Sequence, residues 1–147
     1  VALIPLLSVL CLLSLFSGSS ARHITPLNRE SFYPFVEQKG KDVLVKFTDA
    51  TCTSCRTLDE VYETLLQDPD LERLDLATFE CGYDIDWCYS IGLMGPFATI
   101  RYTHDGLVFH YSGGFDHQSI RKFINGYFTS FGYGFEKILP PGYKEEL

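Results

Sequence analysis

Two cysteines separated by two residues, Cys52 and Cys55, are the side chains of this sequence best placed to do chemistry. They follow the apolar run 43–47, whose length and content of valine predict a buried strand. They precede residues 55–66, in which apolar residues recur at helical spacing. A helix start carries unpaired backbone N–H groups and the positive end of the helix dipole, and both favour a thiolate over a thiol. Two thiols at a strand-to-helix junction therefore predict thiol–disulfide chemistry.

The order of the two cysteines predicts their roles. Cys52 is expected to cap the helix as the exposed nucleophile, and Cys55, one turn further in, is expected to resolve the mixed disulfide. The alternatives for this pair are a structural disulfide and half of a zinc site, in which Cys81 and Cys88 would complete a set of four thiolates. The position directly after a buried strand favours the redox interpretation, which requires no metal and no cofactor.

Both ends of the sequence indicate a cellular location. Residues 1–21 combine an uncharged apolar run with a small-x-small cleavage site, which predicts a secretory signal peptide. A membrane anchor is the alternative, but the run is short for a span of about 20 residues, so we expect no stable membrane insertion. A close variant of the retrieval tetrapeptide Lys-Asp-Glu-Leu ends the chain. It consists of Lys144, Glu145, Glu146 and Leu147. Together these signals predict the lumen of the endoplasmic reticulum (ER) and an ER retrieval receptor as a partner.

Composition agrees with that location. Residues 22–128 have the size of one domain, and residues 129–147 are interpreted as a spacer, rich in Gly, Pro and aromatic residues, followed by the tail. The net charge of −7 argues against a nucleic-acid partner. An even set of cysteines outside the signal peptide is typical of an oxidising compartment.

The remaining hydrophobic pattern predicts the order β-α-β-α-β-α-β-β-α. Asn28 is a good N-cap for the first helix, and Asp105-Gly106 is a hairpin signal between the last two strands. The last helix is expected to start near Asp116 and to end at Gly126. This alternation predicts an α/β protein with a central sheet and helices on both faces.

This order, with a Cys-x-x-Cys after the second strand and a proline opening the hairpin, resembles the thioredoxin fold with its central mixed sheet. The resemblance runs from about Ile24 to Phe128. Its most specific parts are the segment 43–55, the Met94-Gly95-Pro96 run in the place of the family's cis-proline, and the last strand and helix. With the signal peptide and the tail, the chain is more narrowly similar to a single-domain member of the protein disulfide isomerase family.

The resemblance implies a thiol–disulfide oxidoreductase that forms, reduces or isomerises disulfides in cysteine-containing secretory proteins. Its redox partner would be glutathione or an ER oxidase. Gly95 and Pro96 would be joined by a cis bond and would line a substrate groove. Cys81 and Cys88 would form a structural disulfide that does not turn over, since some family members carry one with the same spacing.

Three departures from the family pattern bear on activity. Thr51 replaces the usual tryptophan, and Thr53-Ser54 replaces the usual Gly-His, which predicts a weaker oxidant. Lys46 stands where the family keeps a buried acid that shuttles the proton of the second cysteine. A charged Lys46 would lower the pKa of Cys55, a neutral one would accept its proton, and one that reaches solvent would be inert. The alternative function is a redox-feeble thioredoxin-like chaperone or adaptor that binds unfolded clients beside Pro96.

Overall fold

The computed structural model describes residues 21–38 and 40–129, together with the backbone of residues 135–137. Nearly all of the predicted signal peptide and the whole retrieval tail therefore lie outside the described residues. Within the described part of the chain, no helix has the length and hydropathy needed to cross a membrane.

The strands form one sheet in which parallel and antiparallel pairs are mixed. They are β1 (Ile24–Leu27), β2 (Asp42–Thr48), β3 (Leu74–Glu80), β4 (Thr99–His104), β5 (Leu107–Tyr111) and β6 (Phe135–Lys137). Their spatial order is β1-β3-β2-β4-β5-β6. Both β1 and β2 run parallel to β3, whereas each of the pairs β2–β4, β4–β5 and β5–β6 is antiparallel. The short strand β6 lies within the segment that the sequence analysis interpreted as a spacer. The sequence pattern did not predict it, because three residues are too few to show a periodicity.

Helices cover both faces of the sheet, as the α/β pattern predicts. They are α1 (Arg29–Val36), α2 (Cys55–Leu66), α3 (Ile85–Ser90) and α4 (His117–Ile124). Alternate residues of β2 separate two apolar cores. Val43, Val45 and Phe47 pack with α1 and α3, whereas Leu44 packs with α2 and α4. Lys46 has the parity of Leu44, so its side chain lies on the α2 face.

Local side-chain chemistry sets the starts of α1 and α4 and the position of the hairpin where the sequence predicts them. The Asn28 side chain accepts a hydrogen bond from the Ser31 amide at 2.9 Å, and the Ser31 hydroxyl accepts one from the Asn28 amide at 2.9 Å. Asp116 caps α4 by accepting from the Ser119 amide. At the β4–β5 turn, Asp105 and Gly106 both have positive φ, at 50° and 76°, which an Asp-Gly pair adopts readily.

The strand register brings three segments to one edge of the sheet. Thr48, the last residue of β2, pairs with Glu80, the last residue of β3. Phe47 pairs with Thr99, the first residue of β4. The loop with Cys52, the turn after β3 and the segment before β4 therefore leave the sheet at the same end, although they are far apart in sequence.

Candidate active site

The two central cysteines form a disulfide at this edge. The sulfurs of Cys52 and Cys55 are 2.05 Å apart, and both residues are half-buried. Helix α2 begins at Cys55, and Ser54 is its N-cap. The expectation that Cys52 caps the helix is therefore wrong. The reason is that the first helical bond runs from the Leu58 amide to the Ser54 carbonyl, at 3.1 Å, while the Cys52 amide donates to the Asp49 carbonyl in a preceding turn.

A short turn holds the loop that carries Cys52. The Asp49 carboxylate accepts hydrogen bonds from the amide of Thr51 at 2.9 Å and from its hydroxyl at 2.8 Å. Thr51, which replaces the family's tryptophan, thus braces the loop through hydrogen bonds rather than through a large ring. Glu80 accepts from the Thr48 hydroxyl and from the Gly82 amide, so the ends of β2 and β3 are tied together at the sheet edge from which the dithiol loop leaves.

Lys46 lies under α2 and does not reach open solvent. Its side chain is 5% exposed and its ammonium pairs with the carboxylate of Asp59. The Nζ atom also lies 4.8 Å from the centre of the Tyr62 ring, in cation–π range. Burial raises the pKa of the Tyr62 phenol well above its ordinary value, so this neighbour stays neutral. Lys46 is therefore held between a carboxylate and an aromatic ring, and the solvent-facing alternative is wrong.

Asp59 is a residue of this site that the sequence analysis did not predict. It lies four residues after Cys55 on α2, and residues at that spacing are neighbours on one helix face. The four-residue spacing from Cys55, together with Lys46 on the strand beneath the helix, was the feature of the sequence that could have predicted the Lys46–Asp59 pair. The pair places the positive charge on the sheet and the negative charge on the helix.

The second cysteine pair, Cys81 and Cys88, is joined through sulfurs 2.09 Å apart. Both residues are fully buried in the core between the sheet and helices α1 and α3. Trp87, next to Cys88, stacks on Phe79 with ring centres 4.5 Å apart. This is the pairing that the family resemblance implies, and its lack of turnover stays a prediction.

The Gly95–Pro96 bond is cis. The segment leads into β4 at the edge where β2 ends, so Pro96 and the Cys52 loop lie at the same end of the sheet. Two large apolar side chains at this end are strongly exposed: Tyr83 at 93% and Met94 at 77%. The role of Gly95 and Pro96 as a substrate groove stays a prediction.

The thioredoxin family model matches residues 23–126. The chain belongs to the thioredoxin family. No curated protein matches it.

Solved structures show the same fold at low sequence identity. The J-Trx1 fragment of ERdj5 superposes with a TM-score of 0.61 and 21% identity, over 73% of this chain and 52% of that one. This chain thus spans about half of that fragment. The first thioredoxin domain of mouse protein disulfide-isomerase A4 gives a TM-score of 0.56 and 19% identity, over 81% of each chain. A thioredoxin of Malassezia sympodialis gives a TM-score of 0.60 and 14% identity, over 73% of this chain and 92% of that one.

Within a thioredoxin-family domain, the disulfide between Cys52 and Cys55 supports thiol–disulfide oxidoreductase activity. In this structure the four cysteines of residues 21–129 form two disulfides and not a tetrahedral set. Among the described residues, no group of three or more metal-binding side chains is gathered in one place. The zinc alternative thus has no support in the arrangement of the cysteines.

Proposed function

We propose that this chain is a protein disulfide isomerase-like oxidoreductase that acts on the cysteines of secretory proteins in the ER lumen. The observation that supports it most is the Cys52–Cys55 disulfide at the start of α2, at the sheet edge that also carries Pro96. The predicted signal peptide and the tail at 144–147 support the location. The partners are secretory clients, a retrieval receptor, and glutathione or an ER oxidase.

The chemistry is a two-step exchange. In the reduced protein, the Cys52 thiolate attacks one sulfur of a client disulfide, a bond forms between Cys52 and the client, and the other client sulfur leaves as a thiolate that takes a proton from water. Cys55 then gives its proton to water, and its thiolate attacks the Cys52 sulfur. The Cys52–Cys55 bond forms, the second client thiolate leaves, and two electrons have passed from the protein to the client. Oxidation of a client dithiol runs the same steps backwards.

Lys46 is proposed to tune the second step. Its ammonium lies under α2 and pairs with Asp59, one helical turn after Cys55. A positive charge there favours the Cys55 thiolate over the thiol, because opposite charges attract in a partly desolvated site. Asp59 limits that effect by neutralising part of the charge.

Insulin reduction is the direct test of the activity. We expect the protein, recycled by dithiothreitol, to accelerate the precipitation of insulin chains, because Cys52 supplies a thiolate in the loop that leads into α2. The matched control is the double variant Cys52→Ala/Cys55→Ala. If the wild-type protein is no faster than this control but suppresses aggregation of an unfolded client, the oxidoreductase proposal fails and the binding-module alternative replaces it.

Retention in cells tests the location independently of the chemistry. With the chain expressed in cultured animal cells, we expect the full sequence to stay inside and a chain lacking residues 144–147 to appear in the medium, because a retrieval receptor reads the tail. Immunoblots of cells and medium measure the ratio. Equal retention of both forms would contradict a role for the tail in retrieval, and equal secretion would contradict residence in the lumen.

A further inference from the structure

The hydroxyl of Ser54 lies against the sulfur that starts the reaction. Ser54 Oγ is 3.6 Å from Cys52 Sγ, within hydrogen-bond range for a sulfur atom. The disulfide leaves Cys52 Sγ without a hydrogen, so the hydroxyl is the donor and the sulfur is the acceptor. Among the described residues, Ser54 is the one whose side chain is seen to hydrogen-bond to Cys52 Sγ.

The helix cap at Ser54 points to the same contact. A serine at an N-cap ordinarily accepts a hydrogen bond from a backbone amide of the first helical turn. Asn28 and Asp116 make such bonds at their helices. Ser54 makes none, and its backbone has φ −88° and ψ −8°, in the helical region rather than the extended region usual for a cap. Its hydroxyl is turned away from capping and towards Cys52.

We infer that Ser54 is a catalytic residue whose hydroxyl donates a hydrogen bond to the Cys52 thiolate during disulfide exchange. When the disulfide is reduced, Cys52 Sγ gains a negative charge, and a hydrogen bond to a charged acceptor is stronger than one to a neutral sulfur. The bond therefore stabilises the reduced state more than the oxidised state. The Ser54 hydroxyl carries no net charge, but its dipole supplies part of the thiolate stabilisation that a cationic side chain between the cysteines would supply.

The same contact acts in each half of the reaction. As Cys52 attacks a client disulfide, its charge moves to the leaving client sulfur and the Ser54 bond weakens. When Cys55 displaces the client, the Cys52 sulfur becomes part of the internal disulfide and is again a neutral acceptor. No proton leaves Ser54 in either step. This inference rests on the proposed function only in taking Cys52 as the nucleophile.

The test compares two isosteric side chains that differ by the hydroxyl. Ser54→Thr keeps the donor and Ser54→Val removes it, while both are β-branched. Thr53→Val is the matched control, because Thr53 lies between the same cysteines and is exposed. The dithiol is reduced, and alkylation of Cys52 by iodoacetamide is followed against pH by peptide mass spectrometry. Circular dichroism of each variant checks that the fold is intact.

We expect Ser54→Val to raise the pKa of Cys52 by about one unit relative to Ser54→Thr, at the lower end of what a hydrogen bond to a charged group contributes. Below that pKa, alkylation should slow by only about three- to fourfold, because a more basic thiolate is also more nucleophilic. Above it, the equilibrium with glutathione should shift about tenfold towards the disulfide, which corresponds to about 30 mV. Thr53→Val should change none of these quantities.

An equal Cys52 pKa in Ser54→Val, Ser54→Thr and the wild type would overturn the inference. Equal shifts in Ser54→Val and Thr53→Val would also overturn it, because the effect would then be that of any apolar side chain in the loop. The pKa measurement needs no client, so failure here is distinguishable from failure of the proposed function in the insulin assay. If Ser54→Val lowers the stability of the fold, the comparison of Ser54→Thr with Ser54→Ala supplies the same contrast.

Discussion

Cys55→Ala should accumulate mixed disulfides with client proteins, and Cys52→Ala should accumulate none. Cys52 lies before α2, in a half-buried loop at the same sheet edge as Pro96, whereas Cys55 is the first residue of the helix. We therefore expect Cys52 to supply the attacking thiolate, so that removing Cys55 leaves the mixed disulfide unresolved. Insulin reduction should fall to the uncatalysed rate in both variants.

Non-reducing gels followed by mass spectrometry of linked peptides measure the trapping. The Cys81–Cys88 disulfide is an internal control, because both cysteines are fully buried and should remain joined in every variant. Equal trapping by Cys52→Ala would reverse the assignment of the two roles. Client peptides linked to Cys81 or Cys88 would show that the second disulfide takes part in exchange.

Lys46→Glu should be far more destabilising than Lys46→Met. The new carboxyl group would occupy a site that is 5% exposed and would face the carboxylate of Asp59. Burying an unpaired charge next to a like charge costs about 3 kcal/mol or more of the free energy of unfolding. Methionine fills a similar volume, and Asp59, which is 62% exposed, remains hydrated when its partner is removed. Lys46→Met should therefore lie within about 1 kcal/mol of the wild type.

Asp59→Asn completes the comparison. It leaves the Lys46 ammonium buried and without its carboxylate, so we expect a loss of about 2 kcal/mol, larger than that of Lys46→Met. Urea unfolding of the three variants and of Lys46→Met/Asp59→Asn measures the coupling in a double-mutant cycle. Equal midpoints for Lys46→Glu and Lys46→Met at pH 7 would contradict the buried position of this side chain.

The pH dependence of Lys46→Glu has a defined sign. Burial and the nearby Asp59 should raise the folded-state pKa of the new carboxyl group above its unfolded value of about 4.3. The folded protein then binds the proton more tightly than the unfolded chain. Relative to the wild type, stability is regained well below about pH 4.3, where the group is protonated in both states, and is lost as the pH rises from there through the folded-state pKa. The same substitution should move Cys55 deprotonation to higher pH in the profile of dithiol oxidation.

The thioredoxin fold and the redox dithiol were already predictable from the sequence. The helical spacing of α2 and the Asp-Gly hairpin depend on contacts between residues close together in the chain, and local periodicity records such contacts. The apolar run of β2 records burial on both faces of the sheet. The thioredoxin fold itself was implied by the resemblance of the Cys-x-x-Cys and Met94-Gly95-Pro96 segments to that family. Helix α2 covers residues 55–66, as its apolar spacing predicts. The strand β6 escaped the pattern because three residues are held by pairing with β5, a contact that local sequence does not encode.

The tertiary structure decided what each side chain at the site touches. The sequence alone left three alternatives for Lys46: a charged side chain, a neutral proton acceptor, or an inert side chain that reaches solvent. The choice between them depends on which residues of α2 lie above it. The packing of α2 on β2 supplied Asp59 and the Tyr62 ring as its neighbours. The Ser54 hydroxyl faces Cys52 instead of capping α2, because the backbone at the start of the helix directs it there. Residue types and spacing indicated that this chain carries a redox dithiol, whereas the packing of α2 on β2 and the backbone conformation at the start of α2 decided which side chains lie near it.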